Sequence, residues 1–259
     1  MVAELRSQVI AGTLLLTIHN SERRNALSPE IYAAGCSLLA DAANDCSIRS
    51  IVLTGYGTVF CAGGDLQRLQ ENRKRPPEVQ AQSLEGLHGF IRAIRGVGKP
   101  VLAAVEGAAA GAGFSLVLAC DLIVAAEDAV FVMSYSTVAL SPDGGACWSL
   151  PRNVPRQLAT EWLMAGSRIG AQRLNELGVV NLVASKGAAL TAALALASSL
   201  NARAPNVLAS IKHMIESGSA DTLSTHMDRE RDQFLSNMFH SNAAIGISAF
   251  LSKQSPLYE

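Results

Sequence analysis

The chain has 259 residues, and its 21 Lys and Arg against 22 Asp and Glu give a formal net charge of -1. Hydrophobic residues make up 49% of the sequence, enough apolar material for a large core, which excludes wholesale disorder. The balanced charge and an aromatic content of only 5% argue against a nucleic-acid-binding surface. Only the basic run at 73–75 favours RNA, and a solvated loop explains that run better.

The first residues contain no basic segment followed by an apolar one, so no secretory signal is predicted. An apolar run at 101–120 is interrupted by Glu106 and is rich in glycine, which predicts a buried strand, a turn and a helix rather than a membrane span. The five cysteines are widely spaced, and none has the spacing of a zinc ligand set. We therefore expect free thiols, no metal site and a cytoplasmic location.

Strand and helix signals alternate through the first part of the chain. The β-rich run Thr13–His19 predicts a strand, and Ser28 followed by Pro29 predicts the start of a helix. Further strands are predicted at 49–54, 101–105, 122–125 and 131–133. This alternation is typical of an α/β protein with parallel strands in its core.

From about residue 161 the pattern becomes mainly helical. Helices are predicted at 159–164, 171–177, 187–200, 206–217 and 223–237. The stretch 70–77, which carries three basic residues and two prolines, predicts an exposed loop.

Two glycine-containing loops are candidates for chemistry. The first, at 60–66, follows the strand at 49–54, and the second, at 107–113, lies between a strand and an apolar helix. The second loop lacks the Gly-Lys-Ser/Thr of a phosphate-binding loop, and its Gly-x-x-x-Gly-x-Gly spacing differs from a dinucleotide fingerprint. What remains is exposed backbone N–H at a helix start, so the two loops together could supply two donors to one enolate oxygen.

The segment 141–145 reads Ser-Pro-Asp-Gly-Gly. Asp143 is either a turn-forming residue or an acid/base carboxylate on a loop. The five histidines, at 19, 88, 213, 226 and 240, form no Ser/His/Asp arrangement, so each is predicted to be a surface or structural residue.

These features occur in one order that resembles the crotonase (enoyl-CoA hydratase/isomerase) superfamily over nearly the whole chain. The matching motifs are Glu22–Leu27, Phe60–Leu66, Lys99–Gly113, Cys120–Leu122, Pro142–Asp143 and Ile247–Lys253. The resemblance implies an α/β, ClpP-like fold of stacked ββα units over 1–195. It also implies a helical trimerisation region over 196–259, in a homotrimer or a hexamer made of two trimers.

Coenzyme A thioesters are the substrates that the resemblance implies, with no other cofactor. Its two oxyanion-hole donors correspond to the N–H groups of Gly64 and Ala112. Residues near the CoA moiety correspond to Arg24, Ala26, Ala62, Asp65, Leu66, Phe250 and Lys253. The segment at 70–85 is expected to shape the acyl pocket, together with Tyr135 and Ser115.

The sequence departs from the hydratases of this superfamily at the two positions where they carry glutamates. Those positions hold Ser115 and Tyr135, so efficient addition of water is not expected. Asp143 matches instead a carboxylate of double-bond isomerases and of the ring-opening isomerase of phenylacetate breakdown, the group that the sequence resembles most. A single carboxylate suits a 1,3-proton shift. The alternatives are a hydratase with atypical acid/base residues, an aryl-CoA dehalogenase with an Asp nucleophile, and a non-catalytic acyl-CoA-binding protein.

Overall fold

The computed structural model describes residues 3–218 and 221–258. Its strands are β1 (Glu4–Ile10), β2 (Thr13–His19), β3 (Ser50–Gly55), β4 (Val101–Val105), β5 (Ala108–Ala110), β6 (Leu122–Ala126), β7 (Val130–Val132), β8 (Arg168–Gly170) and β9 (Leu182–Ala184). Its helices begin with α1 (Pro29–Asn44), α2 (Leu66–Asn72), α3 (Pro77–Gly96), α4 (Ala112–Ala119), α5 (Ala146–Asn153) and α6 (Arg156–Ala165). They continue with α7 (Ala171–Glu176), α8 (Ala189–Asn201), α9 (Pro205–Gly218), α10 (Leu223–Met238) and α11 (Ser241–Leu251).

The strands form two sheets. The larger sheet has the order β1-β2-β3-β4-β6-β9, in which β1 is antiparallel to β2 and the remaining neighbours are parallel. The smaller sheet has the order β5-β7-β8, with β5 parallel to β7 and β7 antiparallel to β8. The strand pairs β4/β5 and β6/β7 are thus each divided between the two sheets, and each leads on to a helix. This repeat confirms the predicted stack of ββα units, and α8 to α11 confirm the helical C-terminal region.

The central strands of the larger sheet read as continuous apolar runs because both of their faces are covered. Every residue of β4 is buried. On one face α8 lies against β3, β4 and β6, and its small residues Ala189, Ala193 and Ala197 are fully buried at four-residue intervals. The expected boundary at residue 195 falls inside this helix.

Several elements agree closely with the sequence. The strands expected at 13–19 and 101–105 have those bounds, and α1 begins at Pro29 with Ser28 as its N-cap residue. The run at 101–120 is a strand, a turn with a short strand, and a buried helix. Over the described ranges, no helix is both long and apolar enough to cross a membrane.

The predicted loop at 70–77 is wrong. Residues 70–72 are the last turn of α2, and Pro77 is the first residue of α3, so only 73–76 connect the two helices. Proline is well placed in the first turn of a helix, where its missing N–H has no acceptor to lose. The basic run at 73–75 is exposed, as expected.

Four strands were not predicted: the seven-residue β1 and the short strands β5, β8 and β9. β1 is an edge strand whose residues are mostly exposed, so its apolar signal is weak. β8 and β9 have three residues each and lie within the stretch predicted to be helical. Their pairing with β7 and β6 depends on contacts that are distant in sequence.

Helix α4 packs tightly against the segment that follows β3. A Cβ atom on Gly113 would lie 2.7 Å from the Cys61 carbonyl oxygen and 2.8 Å from the Cys61 Cβ. Because one of those atoms belongs to the backbone, a rotamer change cannot relieve the contact. Gly113→Ala should therefore lower the free energy of unfolding by about 1–3 kcal/mol, measured by urea titration.

The matched control is Gly96→Ala at the end of α3, where a Cβ would meet nothing within 4 Å. This variant should be neutral or stabilised by up to about 1 kcal/mol, because alanine restricts the unfolded chain. Coincident unfolding curves for the two variants would contradict the tight packing of α4.

Candidate active site

The two glycine-containing loops lie side by side, joined by backbone hydrogen bonds. The Cys61 N–H donates to the Ala108 carbonyl at 3.0 Å, and the Ala110 N–H donates to the Cys61 carbonyl at 2.9 Å. Gly63 has a φ of +91°, and a Cβ atom there would lie 2.7 Å from the Ala110 carbonyl oxygen. Glycine is therefore required where the loops meet.

The polar segment at 22–27 is hydrogen-bonded to the first loop and holds it in place. The Leu27 N–H donates to the Gly63 carbonyl at 2.8 Å. The Asn25 side-chain amide donates to the carbonyls of Val59 at 2.7 Å and Tyr56 at 2.9 Å. The Glu22–Leu27 motif thus has a structural role, since it fixes the loop that carries Gly64.

Gly64 and Ala112 each present a backbone N–H at this junction. Ala112 is the first residue of α4, so its N–H has no acceptor within the helix. Over the described residues, neither N–H donates to a backbone or side-chain acceptor. Both residues line one cavity, and a Cβ on Gly63 would lie 3.4 Å from the Ala112 nitrogen. Two backbone N–H groups without partners in one cavity wall can stabilise an oxyanion.

Asp143 lines the same cavity from the turn that precedes α5. The Tyr135 Oη donates a 2.6 Å hydrogen bond to Asp143 Oδ1. Burial raises the pKa of the Asp143 carboxyl, and the Tyr135 hydrogen bond and the charge of His88 offset part of that rise. The site therefore holds an oriented carboxyl group that binds a proton more readily than a solvated aspartate.

The two residues at the hydratase glutamate positions have different surroundings. Tyr135 lines the cavity, and burial raises the pKa of its phenol, so Tyr135 remains a neutral donor. Ser115 is 1% exposed and lies behind the cavity wall, not on it. Its Oγ is 3.1 Å from the Asp143 carbonyl oxygen, so Ser115 holds the turn that carries Asp143.

The cavity has a volume of about 330 Å³ and a largely apolar wall around its polar groups. The apolar side chains come from Leu66, Leu69, Leu84, Val138 and Leu140. α3 adds Gln80, Leu84 and His88, which lie at four-residue intervals on one face of the helix. The segment at 70–85 thus contributes to the wall as part of α3.

His88 is a site residue that the sequence reasoning missed. It was predicted to be a surface or structural histidine, but it lines the cavity together with Asp143. The four-residue spacing with Leu84 and Gln80 was an available signal, but it required knowing that 77–96 is a helix.

The residues expected near coenzyme A are distributed unevenly. Ala62 and Leu66 line the cavity, and Leu66 is 57% exposed. The Asp65 carboxylate caps α2 by accepting from the N–H groups of Gln67 at 3.0 Å and Arg68 at 3.3 Å. It also pairs with Arg23, so this side chain already has partners within the chain.

The other expected residues lie apart from the cavity wall. Arg24 is exposed, and Ala26 is buried beside the first loop. Phe250 and Lys253 are exposed at the end of α11, and neither lines the cavity of its own chain.

Comparison with known proteins gives consistent matches across the chain. Residues 8–259 match the family model described as enoyl-CoA hydratase/isomerase. The chain is 34% identical to 1,2-epoxyphenylacetyl-CoA isomerase of Escherichia coli K12, over 100% of this chain and 99% of that protein. It is 32% identical to 2,3-dehydroadipyl-CoA hydratase of the same organism, over 94% of this chain and 93% of that protein. A crystal structure of an enoyl-CoA hydratase from Polaromonas sp. JS666 is 62% identical and has a TM-score of 0.98, covering 99% of this chain and 100% of that one.

The Tyr135–Asp143 hydrogen bond gives a testable pKa order. Because the bond stabilises the ionised carboxylate, Tyr135→Phe should raise the pKa of Asp143 above its value in the native chain, which burial already holds above that of a solvated aspartate. Carbon-13 NMR titration of labelled aspartate measures both values. Tyr56→Phe, on the loop after β3, should leave this titration unchanged. A lower Asp143 pKa in Tyr135→Phe would contradict the assigned bond.

Proposed function

The chain belongs to the enoyl-CoA hydratase/isomerase family, and from that membership we propose that the protein is an acyl-CoA isomerase that shifts a double bond through an enolate. One observation carries the proposal. Over the described residues, a single cavity brings together two backbone N–H groups without partners and one carboxyl group, that of Asp143.

In the proposed reaction the thioester carbonyl oxygen accepts hydrogen bonds from the N–H groups of Gly64 and Ala112. The Asp143 carboxylate removes a proton from the carbon next to the carbonyl, and the electron pair moves onto the oxygen as a dienolate. The protonated Asp143 then returns the proton to the carbon two positions farther along the chain. The double bond moves by one position, and no water is added or lost.

Proton transfer and oxyanion stabilisation would make separate contributions. An oxyanion donor lowers the barrier by about 2.7–4 kcal/mol, and a positioned base contributes about 10²–10⁴-fold. The raised pKa of Asp143 supports this role, because a base works best when its pKa approaches the working pH. Tyr135 would hold the carboxylate in one orientation throughout.

Hydration is the second candidate function, and His88 favours it. Addition of water across a double bond requires a base and an acid around the water, and the family's two glutamate positions hold Ser115 and Tyr135. His88 and Asp143 both line the cavity and could share those tasks. The similar Polaromonas structure is that of an enoyl-CoA hydratase, and this similarity also favours hydration.

We propose acyl-CoA thioesters as the substrates, with the CoA moiety as the only cofactor group. The E. coli isomerase similarity supports a ring-derived enoyl or epoxy acyl group and a place in phenylacetate or fatty-acid breakdown. The exposed Arg24 would meet a CoA phosphate, and Ala26, Ala62, Asp65 and Leu66 would contact the same moiety through their backbone or side chains.

A homotrimer, or a hexamer of two trimers, is the proposed assembly. The C-terminal helices leave large apolar side chains uncovered, including Phe234, Phe239 and Phe250. Exposed apolar surface of this kind typically marks a protein interface. In such an assembly, Phe250 and Lys253 would reach coenzyme A bound to a neighbouring subunit.

The proposed location is the cytoplasm. None of the five cysteines in the described chain forms a disulfide, in keeping with a reducing compartment.

Asp143→Asn tests the proposed chemistry. This variant should bind a CoA thioester about as tightly as the native chain, because the amide keeps the size of the side chain. Turnover of a 3-enoyl-CoA should fall by about 10²–10⁴-fold, because the amide cannot accept the proton. Calorimetry measures the binding, and ultraviolet absorbance follows the double bond.

The control is Asp41→Asn on the exposed face of α1, which should keep native turnover. Near-native activity of Asp143→Asn would remove Asp143 from the mechanism. A native chain that binds a panel of thioesters without converting any of them would be a non-catalytic binding protein.

The oligomeric state is checked by sedimentation at micromolar concentration. The native chain should sediment with the mass of three or six copies. A species with the mass of one chain at that concentration would contradict the proposed assembly.

A further inference from the structure

A small chamber adjoins the active-site cavity at the base of the two loops. Its volume is about 40 Å³, and it shares Gly64, Ala112 and Asp143 with the larger cavity. Its further walls come from Leu27, Tyr32, Asp65, Arg68 and Ser83. A cavity volume of about 10–15 Å³ is enough for one water molecule, so the chamber has room for a small polar group.

Arg68 brings a positive charge to this chamber without a carboxylate partner. Its Nη2 donates to the Ser83 Oγ at 3.3 Å. Over the described ranges, no carboxylate oxygen lies within ion-pair distance of this guanidinium, and Glu30 interacts with it only at longer range. Several of its N–H groups therefore remain available, and a guanidinium is well suited to bind a carboxylate.

Two neighbouring side chains retain hydrogen-bond donors. The Ser83 hydroxyl accepts from Arg68, so its own hydrogen is free to be donated. The Gln80 Oε1 accepts from the Asn72 amide at 2.8 Å, which leaves the Gln80 amide N–H groups available. Gln80 and Ser83 both lie on the turn of α3 that lines the chamber.

Tyr32 adds a further donor on the α1 side. It is only 6% exposed, and over the described residues its hydroxyl has no hydrogen-bond partner. Burial, and then the charge of Asp143, raise the pKa of the Tyr32 phenol, which keeps the hydroxyl neutral and able to donate. Tyr32 lines the chamber, where its hydroxyl can donate to a bound acceptor.

We propose that this chamber binds a carboxylate at the far end of the acyl group, which favours CoA monothioesters of short dicarboxylic acids as substrates over the ring-derived epoxy acyl group considered above. The inference rests on the proposed function, since the chamber shares the residues that would hold the thioester oxygen. The donors of Tyr32, Arg68 and Ser83 match the acceptors of a carboxylate. The charge of Arg68 offsets the repulsion between the bound carboxylate and Asp143, while Asp65, the other acidic residue of the wall, is already paired with Arg23. An alkyl end would leave these donors unpaired, and a site built to hydrogen-bond its ligand rejects such an analogue.

Binding of two probes with equal chain length tests the assignment. Glutaryl-CoA and pentanoyl-CoA differ only in the terminal carboxylate, and calorimetry gives the dissociation constant of each. The native chain should bind glutaryl-CoA at least about tenfold more tightly. Arg68→Gln should weaken glutaryl-CoA at least about tenfold and change pentanoyl-CoA by less than about twofold. Retained pentanoyl-CoA binding shows that the variant is folded.

Two further variants complete the test. Arg73→Gln, on the exposed link between α2 and α3, should bind both probes as the native chain does. Tyr32→Phe should reduce the preference for glutaryl-CoA without removing the guanidinium. Equal binding of the two probes by the native chain, or a preference that survives in both Arg68→Gln and Tyr32→Phe, overturns the chamber assignment alone. Failure of the native chain to bind either thioester overturns the proposed function, and this inference with it.

Discussion

The whole site depends on how closely two backbone segments approach each other. The Cys61 peptide groups pair with those of Ala108 and Ala110, and this pairing leaves no room for a side chain at Gly63 or Gly113. Because backbone atoms hold the junction, the positions of the Gly64 and Ala112 N–H groups are set by the sheets and by α4. Small residues in both loops are a consequence of this packing.

The Asp143 carboxyl group is positioned by side-chain hydrogen bonds. Asp143 lies on a turn that Ser115 ties to α4 from behind, while Tyr135 holds the carboxylate from the cavity side. Burial opposes ionisation of Asp143 and the Tyr135 hydrogen bond favours it. Ser115 and Tyr135 thus hold the turn and the side chain of one carboxylate. These contacts support the proposed proton transfer by Asp143.

Much of the fold could be predicted because its signals are local. The apolar runs of β2 and β4, the Ser28–Pro29 helix start and the two glycine loops are readable from neighbouring residues. The short strands β8 and β9 were missed, since their pairing partners are distant in the chain.

The residues of the site fall into the same two classes, those that a local motif indicates and those that only the packing of distant elements brings in. Asp143 and the two loops follow from motifs, whereas His88, Tyr32 and Arg68 enter the site only because α1, α2 and α3 pack around it. Because Pro76 and Pro77 are typical of a loop, the sequence did not indicate that α3 begins at Pro77. The contribution of Ser115 depends on which way its side chain points, and spacing alone cannot give that direction.

The central claim is that a proton moves within the acyl group while no water is added, and product analysis in oxygen-18 water tests it most directly. The protein is incubated with a 3-enoyl-CoA and, separately, with a 2-enoyl-CoA, and the products are examined by mass spectrometry and NMR. The account predicts a shifted double bond and no oxygen-18 on the acyl carbons. Rapid incorporation of oxygen-18 into the 2-enoyl-CoA would contradict it and favour hydration.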